Sequence, residues 1–114
     1  MTLKEYSKII KQTAIYPKEI GLIYCTLGLC GEAGEVSEKV KKIYRDNNGI
    51  INDETKRLLI KELGDVLWYI TAASNELGSS LEEVAKINIE KLLARRQTNT
   101  LHGNGDDREI MSNN

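Results

Sequence analysis

A chain of 114 residues fits one domain built around one core. Its 16 basic and 17 acidic side chains leave a net charge of -1, which removes the electrostatic case for binding a nucleic-acid polymer nonspecifically. No apolar run approaches the ~20 residues of a membrane span, and the opening "MTLKEYSKII" has no apolar signal core, so a cytoplasmic protein without a membrane partner is expected.

In chain order, the first predicted element is a helix over roughly 2–14. Pro17, the single proline, follows it. A long helix over roughly 18–45 comes next, because nothing between Pro17 and "DNNG" (Asp46–Gly49) stops a helix firmly. Its middle, "GLCGEAGEVSEKV", carries Gly28, Gly31 and Gly34, each costing a helix roughly 1 kcal/mol against alanine. Missing side chains at those positions would let another helix or a triphosphate approach the backbone. The stretch lacks the GxxxxGK[ST] order of a phosphate-cradling loop.

Asn52 or Asp53 caps a third helix over roughly 53–77, with acids in its first turn. Gly78 lies past its end. Ser79 or Ser80, followed by Glu82 or Glu83, opens a fourth helix over roughly 80–96. Beyond Arg96, "QTNTLHGNGDDREIMSNN" is polar and nearly devoid of core residues, which suits a tail or an active-site flap. The expectation is therefore an all-α chain of four helices: a helical domain over residues 1–96 and a polar tail over 97–114.

Cys25 and Cys30 are the only cysteines. Five apart on a helix they point to different faces and cannot bridge, so both are expected as small core residues. With one histidine, His102, and no CxxC, a zinc site is not expected.

A helical wheel at about 100° per residue locates the informative acids. Around Glu32 the second helix gathers Cys25, Leu29, Val36 and Ile43, and Glu35 lies about 60° to one side. Around Glu62 the third helix gathers Leu59, Val66, Tyr69 and Ala73, with Asp65 about 60° to one side. Two acid pairs, each spaced i and i+3, thus share apolar faces of neighbouring helices. Buried charges are rare unless paired or bound to metal, and four like charges on one core repel. Apart from Lys39 at the rim, nothing basic lies on these stripes. A hard divalent cation resolves the conflict, and carboxylate oxygens suit Mg²⁺ or Mn²⁺. Di-iron chemistry needs Glu-x-x-His on two helices, which this chain lacks. Mg²⁺-assisted phosphoryl chemistry needs no histidine.

"GEAGEVSEKVKK" followed by "KELGDVLWYI" resembles the MazG-like all-α nucleoside triphosphate pyrophosphohydrolase family, whose signature is ExxE, a spacer and ExxD on the next helix. "QTAIYP", "NIEKLLAR" and "HGNGDDRE" are also similar to members of that family, so the resemblance covers nearly the whole chain. It implies Mg²⁺, with Mn²⁺ able to substitute, held by Glu32, Glu35, Glu62 and Asp65. It implies hydrolysis of an NTP or dNTP between the α- and β-phosphates, releasing nucleoside monophosphate and pyrophosphate. Glu35 is the candidate to orient or deprotonate the attacking water. Lys39, Lys42, Asn88, Lys91 and Arg95 are candidate phosphate or sugar contacts, the last three sharing one face of the fourth helix at i, i+3 and i+7. Tyr69, one turn beyond Asp65, is a candidate sugar or base contact. Trp68 points about 120° from Glu62 and reads as an interface residue. His102 and Arg108 in the tail could close over the phosphates. The resemblance also implies chains that pair to complete a bundle, and the thin core of two long and two short helices agrees with a homodimer or homotetramer. Two other readings remain open: a non-enzymatic helical module that binds nucleotide or metal and regulates a partner, and a purely structural dimerising bundle.

Overall fold

In the computed structural model, residues 1–98 are described, and they are all-α. Residues 99–114, with His102 and Arg108, lie outside the described residues. Helix α1 spans Leu3–Thr13 and starts on a reciprocal cap. The Glu5 amide donates to Thr2 Oγ1 (3.1 Å), and the Thr2 amide donates to the Glu5 carboxylate (3.4 Å). A short 3₁₀ turn, Lys18–Ile20, follows Pro17 and leads into α2, Gly21–Asn47. At 27 residues α2 is about 40 Å long.

Asn48 and Gly49 adopt left-handed backbone (φ 52° and 75°) and turn the chain back. Helix α3, Asp53–Glu76, begins on Asn52. Asn52 Oδ1 accepts from the Thr55 amide, and Thr55 Oγ1 accepts from the Asn52 amide, both at 2.9 Å. Its end is a Schellman motif: Gly78 takes φ 70°, its amide donates to the Asn75 carbonyl (3.0 Å), and the Ser79 amide donates to the Ser74 carbonyl (2.9 Å). Helix α4 spans Leu81–Gln97. The expected boundaries thus hold to within three residues, and the start of the second helix is the turn that Pro17 imposes.

Residues 1–81 form one compact unit, and the described residues from 82 onward belong to a second. In the first, α2 and α3 run antiparallel, and α1 packs on α3. Ser7 donates to Asn75 (3.2 Å) at one end of the α1–α3 contact, and Trp68 donates to Thr13 (2.8 Å) at the other. The core is small: Ile10, Tyr16, Cys25 and Ala72 are buried, with Tyr6, Ala14, Trp68, Tyr69 and Ala73 packed against them. Tyr16 stacks on Tyr24 at 5.0 Å and meets Trp68 edge-on at 6.4 Å. The Tyr16 hydroxyl donates to the Glu76 carboxylate, tying the segment before α2 to the end of α3. Cys25 is fully buried but Cys30 is exposed, contrary to the expectation for both. Cys30 lies on the far side of α2 from Glu32.

Candidate active site

The antiparallel pairing of α2 and α3 decides where the acids meet. Gly28 lies against Tyr69, so Glu32, one turn further along α2, comes opposite Asp65, one turn earlier on α3. Glu32, Glu62 and Asp65 each offer a carboxylate oxygen within 4.8 Å of the others. Glu32 and Glu62 are half-buried and Asp65 is exposed. Partial burial pushes the Glu32 carboxyl above its ordinary value, and the charges of Asp65, Glu62 and Glu35 add to the shift. Gathering acids this way is unfavourable unless a cation joins them. The donor set fits a hard divalent cation: three carboxylate oxygens, with no thiolate or imidazole in the group.

Glu35 stands apart from that trio. It is exposed, one turn along α2 from Glu32, and acts on Glu32 through its charge. Among the candidate cations, Lys39 is brought to the acids: its Nζ lies 3.3 Å from Glu62 Oε1. Lys42 is exposed and lines a neighbouring cleft of about 410 Å³ with Lys39, Ile43, Asn52, Thr55 and Leu58. Asn88, Lys91 and Arg95 lie on α4 in the second unit, with Asn88 exposed, Lys91 half-buried and Arg95 buried.

On the other side of the trio, Glu32 and Asp65 share a recess of about 270 Å³ with Trp68 and Tyr69. Tyr69 therefore sits where it was expected, beside the acids. Its hydroxyl is raised by burial, by Tyr24, and further by Glu32 and Cys25. Trp68 stands beside Tyr69. Its indole meets Tyr69 edge-on at 4.8 Å and donates to Thr13, so it walls the recess and faces α1. The wheel placed it away from Glu62 correctly, but Asp65, one turn back on α3, brings the acids within its reach.

Sequence reasoning missed Tyr6. Burial and the charge of Asp65 both raise its hydroxyl, so it borders the acidic group from α1. A signal was present: Tyr6, Ile10 and Thr13 fall at i, i+4 and i+7, one face of the first helix. Tyr24 was also missed, and it lies 6.4 Å from the Tyr69 ring. Among the described residues no helix is long and apolar enough to cross a membrane.

A family model for the MazG nucleotide pyrophosphohydrolase domain matches residues 24–100. The chain is also 43% identical over 109 residues to the Gene 37 protein of Mycobacterium phage L5, an alignment covering 90% of this chain and 96% of that protein. No solved structure matches significantly. The family model takes in α3 and α4 whole and all of α2 beyond its first turn, including both acid pairs, and the phage protein aligns almost end to end: the chain belongs to the MazG nucleotide pyrophosphohydrolase family.

Proposed function

We propose that this chain is a Mg²⁺-dependent nucleoside triphosphate pyrophosphohydrolase, adding water across the α–β phosphate bond of an NTP or dNTP to give nucleoside monophosphate and pyrophosphate. The observation that carries the reading is the convergence of Glu32, Glu62 and Asp65 within 4.8 Å, in a chain of this family. A bound Mg²⁺, with Mn²⁺ able to substitute, supplies neutralisation of the triphosphate and polarisation of the bond that breaks. Glu32, Glu62 and Asp65 are the ligands, and Glu35 completes the set. Its exposed carboxylate, outside the trio, suits it to orient the attacking water and take its proton. Lys39 and Lys42 face the pyrophosphate as its charge builds. Tyr69 and Trp68 offer aromatic surface to the nucleoside. Asn88, Lys91 and Arg95 are proposed as further phosphate or sugar contacts from α4.

A second copy completes the bundle in this reading. Ile23 (61% exposed), Leu27 (68%), Ile60 (57%) and Leu63 (54%) lie on α2 and α3, faces that a stable isolated chain would bury. The proposal is a homodimer or homotetramer acting in the cytoplasm.

The test is incubation with each NTP and dNTP plus Mg²⁺, with pyrophosphate and nucleoside monophosphate measured together. Both should appear in equal amounts with at least one nucleotide, and Glu62→Gln should abolish them. No release with any nucleotide would leave a binding module as the reading. Phosphate released from a diphosphate would show that a different bond is cut.

A further inference from the structure

The Lys39–Glu62 pair is a charged contact that crosses from α2 to α3 beside the acids. Both side chains are shielded from water to a degree unusual for a surface pair, at 33% and 17% exposed. Glu62 is also a member of the acidic trio. One carboxylate therefore serves two cations: the ammonium of Lys39 and the divalent ion the trio suits. A carboxylate oxygen that coordinates a divalent ion loses most of its attraction for an ammonium, and two cations so close repel. Lys39 has somewhere to go, because its side chain also lines the cleft of about 410 Å³ that Lys42 shares.

We propose that Lys39 is the resident counter-cation of the acidic site: it holds Glu62 until a divalent ion takes that carboxylate, and the freed ammonium turns into the adjoining cleft to meet a phosphate chain. This rests on the proposed metal site. It goes beyond that site in assigning an order, since Lys39 becomes available to phosphate only after the metal has bound. The coupling is reciprocal, so a polyphosphate that engages Lys39 tightens metal binding by the same factor by which the metal tightens polyphosphate binding.

The experiment titrates Mn²⁺ into the full chain by calorimetry and compares wild type with Lys39→Met and Lys41→Met. Lys41 carries the same charge but pairs with Glu38 at 2.9 Å on the far side of α2, so it controls for net charge. Lys39→Met should bind Mn²⁺ about fivefold more tightly, the factor matching the ~1 kcal/mol upper end of a partly exposed ion pair. Lys41→Met should leave the affinity unchanged. Equal gains in both variants, or none in either, overturn the proposal. The second arm uses inorganic tripolyphosphate. With saturating Mn²⁺, Lys39→Met should bind it several-fold more weakly than wild type, and without metal the two should bind alike. A deficit of the same size in the absence of metal would show Lys39 free from the start, against the proposal. If Lys39→Met does not fold, Lys39→Arg decides. Its planar fork grips the carboxylate more firmly, so Mn²⁺ should bind more weakly, and tighter binding refutes the exchange. Wild type that releases pyrophosphate and binds Mn²⁺, with no effect at Lys39, overturns this inference alone. Wild type that binds no Mn²⁺ overturns the metal site beneath it.

Discussion

Gly28→Ala is the sharpest single test of how α2 meets α3. A Cβ built on Gly28 would land inside the Tyr69 ring, against Cε1, Cζ and Cδ1. The ring cannot swing away freely, because Trp68 stands edge-on to it at 4.8 Å and Tyr24 lies 6.4 Å off. Two terms oppose each other. Alanine gains about 1 kcal/mol of helix propensity over glycine. Overpacking a fitted contact costs about 1–3 kcal/mol, and here the obstruction is a ring held on two sides. The net is a loss of about 1–2 kcal/mol, and each kcal/mol lowers the melting temperature of a domain this size by about 4 °C. The assay is thermal unfolding followed by circular dichroism in wild type, Gly28→Ala, Tyr69→Ala and the double variant. With the ring gone, the same alanine should become neutral or stabilising by up to about 1 kcal/mol, a coupling of about 1–3 kcal/mol between the two sites. Gly28→Ala melting at or above wild type, or equal effects in both backgrounds, would show that Tyr69 does not rest on α2 at Gly28.

Tyr16, whose hydroxyl burial and Glu76 raise well above the tyrosine range, favours its neutral form in the folded chain. Its contribution is therefore fully present below pH 10 and lost as pH rises further, so Tyr16→Phe should flatten the fall in stability above pH 10. A wild-type slope unchanged in Tyr16→Phe counts against the Tyr16–Glu76 contact. Thr13→Val removes the acceptor of the Trp68 indole N–H and should cost about 1 kcal/mol while shifting the fluorescence of the only tryptophan. An unaltered emission maximum argues that the indole does not face α1. Saturating Mn²⁺ at 100 times its Kd should stabilise wild type by about 2.7 kcal/mol, and Glu62→Gln should remove that gain; a melting curve indifferent to metal would refute the site. Among the described residues Gly31 and Gly34 meet nothing within 4 Å, so alanine at either should add up to about 1 kcal/mol if the faces stay open. Weakened self-association by sedimentation would instead place a second copy on them, and a stable monomer gaining from both alanines would dismiss self-association through that face.

Where the sequence could be read, the cause was local. Asn52 and Gly78 carry their instructions within three residues, and each acts where the pattern puts it. The acid pairs were legible because i, i+3 spacing on a stripe is also local. What eluded the sequence is pairwise and distant. No wheel drawn for α2 alone can tell Gly28, filled by a ring from α3, from Gly31, which meets nothing. The three glycines look equivalent as a stripe and are not. The same limit separates Glu32 from Glu35. Both lie on or at the edge of one apolar face, yet antiparallel packing takes Glu32 to Glu62 and Asp65 and leaves Glu35 outside the trio. Register also gives Lys39 its place, since a lysine on the rim of α2 reaches Glu62 only when Gly28 sits on Tyr69. A substitution that moved the helices by one turn would keep every local signal and dissolve the acidic group. The contact between Gly28 and Tyr69 is thus what brings Glu32 of one helical acid pair to Glu62 and Asp65 of the other.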